Sequence, residues 1–67
     1  MTSEERDKVT SYNAGYHRGL HTEYHEVPIK WLFIGWTVDA RTVLKPDFDE
    51  FKNGYEQGLV DYKEARK

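Results

Sequence analysis

Cysteine is absent from this 67-residue sequence, which excludes a disulfide framework and any thiolate metal site. No apolar run approaches the ~20 residues that a membrane-spanning helix needs. The first residues are polar and charged, with no apolar stretch behind them of the kind a secretory leader carries. The expectation is a cytoplasmic protein with no membrane association. A basic excess is missing too: 10 Lys and Arg stand against 12 Asp and Glu, a net charge of -2. That balance leaves no electrostatic footprint for nucleic acid. Low-complexity segments and flexible linkers are also missing, so residues 1–67 read as one small domain. A chain this short buries a modest core. Its aromatic content of 15% offsets this in part, since each large ring buries about 150–250 Å².

What the chain does contain is a stretch that occurs twice. Tyr12-Asn13-Ala14-Gly15-Tyr16-His17-Arg18-Gly19-Leu20 returns as Phe51-Lys52-Asn53-Gly54-Tyr55-Glu56-Gln57-Gly58-Leu59. The shared frame is aromatic-x-x-Gly-Tyr-x-x-Gly-Leu, and Val9 upstream of one copy aligns with Phe48 upstream of the other. At 100° per residue, Val9, Tyr12, Tyr16, Leu20 and Tyr24 share one stripe of a helix. Phe48, Phe51, Tyr55, Leu59 and Tyr62 do the same. Gly15 and Gly19, like Gly54 and Gly58, lie at one edge of the stripe. Glycine inside a helix costs about 0.5–1 kcal/mol relative to alanine, so the four are assigned a structural role: close approach by another helix or a flat ring. A hairpin turn at Asn53-Gly54 is the competing reading. Ala14-Gly15 at the same place in the first copy keeps the helical spacing.

The elements follow from caps and periodicity. Thr2 with Glu5 reads as a capping box, and the first helix is expected over about 3–25. Pro28 separates it from an apolar stretch beginning at Ile29. There Ile29, Leu32, Phe33, Trp36, Ala40, Val43 and Leu44 keep helical spacing, while the residue types favour strand. A helix over 29–43 is expected, with a hairpin through Asp39-Ala40-Arg41 as the alternative. Trp31, Ile34 and Val38 would grease its other sides, as in a central helix with two neighbours. Asp47 with Glu50 caps a third helix over 47–65. The fold class is all-α: three helices, the outer two similar, around a central apolar segment. Trp31 and Trp36 are the expected fillers of the glycine faces.

Catalytic constellations are not found. The histidines have no serine or cysteine nucleophile in a recognisable frame. Asp47, Asp49 and Glu50 read as cap and first-turn charges, and Gly15-x-x-x-Gly19 lacks the Lys-Ser/Thr of a phosphate loop. No enzyme activity and no cofactor are expected. His17, His21 and His25 recur at i, i+4 and i+8. The first and third lie about 12 Å apart along a straight helix and cannot share an ion. That stripe reads as solvated or partner-facing, and no metal site is assigned.

In the order Gly15-Tyr16-x-x-Gly19, a proline, then Trp31-Leu32-x-x-Gly35-Trp36 with Ala40 beyond, about a third of the chain partly resembles the ribosome modulation factor family. The resemblance implies a ribosome- or nucleic-acid-associated protein, with Arg18, Lys30, Arg41, Lys45 and Lys52 as contacts and tyrosines for stacking. That family is strongly basic, and this chain is mildly acidic.

The leading functional expectation is a small protein-interaction module that binds a larger protein and modulates it. Its size and composition are those of bacteriophage accessory and inhibitor proteins. Tyrosine and tryptophan anchor interfaces, and His17, Arg18, His21, Tyr24, Trp31 and Tyr62 are the candidate binding residues. Glycine-notched helices also gain from burial between chains, so a two-fold homodimer is expected.

Overall fold

A computed structural model describes residues 3–39 and 43–65. Three α-helices account for most of them: α1 (Ser3–Leu20), α2 (Ile29–Asp39) and α3 (Phe48–Ala65), with a 3-10 turn at Thr22–Tyr24 between the first two. Among the described residues there is no strand, so helix wins over β-propensity at Ile29–Asp39. Thr2, Ala40 to Thr42, and Arg66 and Lys67 lie outside the described residues, and with them the Thr2 cap and the centre of the alternative hairpin.

Each boundary has a local cause. The carbonyl of Pro28 accepts from the N–H groups of Trp31 and Leu32 at 3.0 and 3.2 Å, so the proline starts α2 at the one end where its missing N–H does no harm. Asp47 caps α3 as its spacing predicts. Its Oδ1 accepts from the N–H of Glu50 at 3.2 Å, and its carbonyl from Phe51 at 3.0 Å. α1 stops at Leu20, short of the expected 25. There the Nε2–H of His25 donates to the carbonyl of Gly19 at 2.8 Å, closing one of the acceptors that a helix end leaves open. α2 ends at Asp39, and Val43 is not helical.

The glycines are covered, but not by tryptophan. A Cβ on Gly15 would fall 2.8 Å from the carbonyl carbon of Phe51 and closer still to its oxygen. A Cβ on Gly54 would meet Tyr12 in the same way. Gly19 and Gly58 repeat the relation one turn on, against Tyr55 and Tyr16. Partner positions rise together along both helices, so α1 and α3 run parallel and in register, backbone on backbone. The expectation that Trp31 and Trp36 fill these faces is therefore corrected: side chains of that size have no room where the two backbones touch.

This exchange of contacts defines a local pseudo-two-fold axis lying along the pair. Such an axis swaps the two helices and also the two flanks of the pair. α2 carries the chain back to the starting end and lies on one flank only. There Leu32, Trp36 and Phe51 form the buried core, with Ala14, Tyr24, Ile29, Phe33, Val43 and Tyr55 packed around it. Trp36 stacks on Phe51 at 5.6 Å between ring centroids, and Phe33 meets Phe48 edge-on at 5.1 Å. The parallel pair is tied at its start by two polar side chains of α1. Buried Asp7 accepts from the N–H of Lys45 through Oδ2 at 3.1 Å. Ser11 Oγ accepts from the N–H of Asp47 at 3.0 Å and donates to the carbonyl of Asp7 at 2.8 Å.

Candidate interaction surfaces

Four of the six predicted binding residues meet at the end of α1. The rings of His17 and His21 stack at 6.1 Å and within 8° of parallel, and His21 meets Tyr24 edge-on. Both histidines are exposed. Arg18 is turned inward: its guanidinium lies 5.6 Å from the ring centre of Tyr24 and 5.8 Å from that of Phe51. Nη1 donates to the carbonyl of Ala14 at 3.1 Å. A cation over two rings of its own core stabilises the fold through the ring quadrupoles. Arg18 and Tyr24 thus connect the histidine surface to the core.

His25 leaves the histidine face. Its ring turns back to cap α1 and packs edge-on against Tyr62 at 5.3 Å and Tyr55 at 6.3 Å. A carbonyl can only accept, so Nε2 carries the proton in this bond. Tyr62 is half-buried. Among the described residues no three His, Cys, Asp or Glu side chains are gathered as a metal site.

Trp31 stands apart from all of these. It is 64% exposed and shares the outer side of α2 with Ile34 and Val38, 50% and 72% exposed. Spacings of three and seven put these residues on one stripe. The inner stripe of Ile29, Leu32, Phe33 and Trp36 packs on the core. α2 is therefore apolar on two opposite faces, and one of them is largely exposed.

A third surface lies on the tyrosine stripe of α1, which by sequence suits either a core boundary or a partner surface. The pseudo-two-fold axis relates Phe48 and Phe51, which pack on Phe33 and Trp36 of α2, and Tyr55, which packs on the core and on His25, to Val9, Tyr12 and Tyr16 on the opposite flank. None of these three belongs to the core cluster. Val9 is 49% exposed. An apolar hollow of about 340 Å³ opens there, lined by Glu5, Lys8, Val9, Tyr12 and Glu50. The signal was in the repeat: Val9 and Tyr12 stand where the second copy has Phe48 and Phe51, so the first copy is the more polar on this stripe.

Farther along the same flank the hydroxyl of Tyr16 donates to Asp61 Oδ2, while Gln57 Nε2 donates to Asp61 Oδ1 at 3.0 Å. This hydrogen bond, followed by partial desolvation and the negative charge of Asp61, raises the Tyr16 phenol above its ordinary value of 10.0. Partial burial raises Tyr55 as well.

No protein-family model matches the chain, and comparison with curated proteins and with solved structures found no match. Among the described residues, no helix is long and apolar enough to cross a membrane.

Proposed function

We propose that this chain is a non-catalytic protein-interaction module, of the accessory or inhibitor kind, that grips a helix of a larger protein on the open flank of α1 and α3. One observation carries the reading: Val9, Tyr12 and Tyr16 are the symmetry counterparts of Phe48, Phe51 and Tyr55, which on the other flank help seat α2. The partner's helix takes the place, relative to the pair, that α2 takes on its own side. Helix-in-groove recognition needs an apolar stripe at spacings of three and four, and α2 itself provides the pattern in Ile29, Leu32, Phe33 and Trp36. Glu50 and Asp61 outnumber Lys8 along this flank, so a partner helix with basic margins is favoured.

The test is affinity capture from a bacterial lysate with and without nuclease, comparing the wild type with two double variants. Val9→Glu with Tyr12→Glu should abolish capture of the partner, and His17→Ala with His21→Ala should leave it intact. Circular dichroism checks that both variants remain folded. Loss in the histidine variant alone moves the surface to the end of α1. Loss on nuclease treatment, with steep salt dependence, replaces this reading by the ribosome- or nucleic-acid-associated one.

A further inference from the structure

α2 has three features that a single copy does not explain. The first is its outer stripe of Trp31, Ile34 and Val38, more exposed than apolar side chains of this size usually are. The second is Gly35, which lies on that stripe. A Cβ built there meets nothing within 4 Å. The glycines of α1 and α3 are matched by backbone contact, which offsets their helix penalty, whereas Gly35 has no such contact among the described residues. The third is charge. The first turn of α2 holds no acid and its last turn no base. Instead Lys30 sits at the positive end of the helix dipole and Asp39 at the negative end, the reverse of the favourable order.

We infer that the outer face of α2 binds a second copy of this chain, α2 against α2, antiparallel about a two-fold axis passing near Ile34 and Gly35. In this arrangement Trp31 of one copy lies level with Val38 of the other, and Ile34 lies level with Gly35. The side chain of Ile34 enters the notch that Gly35 leaves, so the two backbones approach closely, as α1 and α3 do. The charges also acquire a use. Each positive helix end with its Lys30 comes beside a negative helix end with its Asp39, and two unfavourable ends become two attractive ones. A parallel pair would set like on like. Beside the stripe, an apolar hollow of about 230 Å³ between Phe33, Ile34 and Phe48 extends the face that the second copy covers.

The stripe is short, and stable interfaces bury about 800 Å² on each partner. One tryptophan and two aliphatic side chains supply only part of that, so the dimer forms with a Kd of micromolar order, where small interfaces fall. This surface is separate from the open flank of α1 and α3, and its test is independent of the function proposed above.

Sedimentation of the full chain from about 1 to about 300 µM brackets a dissociation constant of that order. The expected result is a monomer–dimer transition within the range. Trp31→Glu should shift it at least ten-fold to higher concentration. Gly35→Gln should do the same while keeping or raising helix content, because a side chain has open space there in the monomer. The sense of pairing is read by cysteine cross-linking, with no background from the cysteine-free chain. A mixture of Trp31→Cys and Val38→Cys chains should form the mixed disulfide in preference to either homodimer. A wild type that stays monomeric throughout overturns the inference, even if the same face binds lipid vesicles. So does a dimer that both folded interface variants leave unchanged. Preferential Trp31 homodisulfides overturn the antiparallel sense.

Discussion

Ser11 Oγ and the backbone N–H of Asp47 lie 3.0 Å apart, joining the middle of α1 to the residue that caps α3. The capping box predicted at Asp47 and Glu50 is thus completed from another helix. Asp47 caps Glu50 through its carboxylate, and its own N–H goes to Ser11. The serine is fully buried and serves the carbonyl of Asp7 as well, so it positions the start of one helix against its parallel partner.

Replacing Ser11 by alanine should therefore cost about 1–3 kcal/mol, the penalty for leaving a buried donor unsatisfied. Urea denaturation measures it. A change below about 0.5 kcal/mol, the scale of ordinary surface substitutions, would show that water replaces the hydroxyl.

The five glycines should divide into two classes. Alanine at Gly15 or Gly54 forces the helices apart and should lower the melting temperature by many degrees or prevent folding. Alanine at Gly35 meets no atom and removes a helix penalty of about 0.5–1 kcal/mol. Measured at concentrations low enough to keep the chain monomeric, it should raise the melting temperature. Equal effects at Gly15 and Gly35 would contradict the close packing of α1 and α3.

His25→Ala removes the bond to Gly19 and two ring contacts. It should cost about 1–2 kcal/mol, one net hydrogen bond with a modest aromatic term. Amide exchange in the last turn of α1 should rise with it. His21→Ala, whose ring is exposed, should cost far less by the same measurements.

Tyr16 and Tyr55 both have folded-state values above the unfolded 10.0. A raised value means that the folded protein holds its proton more tightly than the unfolded chain. The associated stability is full below pH 10 and is lost as pH rises through the raised values. Alkaline titration followed by tyrosinate absorbance should show late-ionising tyrosines, together with loss of helix above pH 10. Tyr16→Phe should remove one late phenol and reduce the alkaline destabilisation. Titration of all tyrosines in one step near 10 would contradict the Tyr16–Asp61 bond.

Periodicity and caps made the three helices and the special status of Gly15, Gly19, Gly54 and Gly58 legible in sequence. The end of α1 was not legible, because the residue that closes it, His25, acts through a bond to a carbonyl six positions back. Gly19 stands at that point, but as a member of the repeat it reads as a packing glycine and not as a stop. The inner face of α2 was legible in the spacing of Ile29, Leu32, Phe33 and Trp36. The expectation that a second neighbour would cover Trp31, Ile34 and Val38 was not met, because α1 and α3 pack on each other and leave α2 on one flank. The covering of the glycines followed from the parallel sense of α1 and α3, which a helical stripe cannot encode. At the surface, His21 meets Tyr24 and His17 stacks on His21, while Arg18 is turned inward over Tyr24 and Phe51. For Val9 and Tyr12 the sequence left core boundary and partner surface both open, because their counterparts Phe48 and Phe51 are packing residues while tyrosine suits either place.

Parallel pairing also sets the order in which the molecule can assemble. Gly15 meets the backbone of Phe51, and Gly54 that of Tyr12, although more than half the chain separates each pair, so the closest approach of the two helices is among the least local. Helical domains usually fold fast because their contacts are local; here the loop must close before the glycine seam contributes anything. During synthesis α1 emerges long before its partner exists, and its tyrosine stripe stays solvated until nearly the whole chain has been made. A stop before Phe48 would leave α1 and α2 without the surface that both pack against.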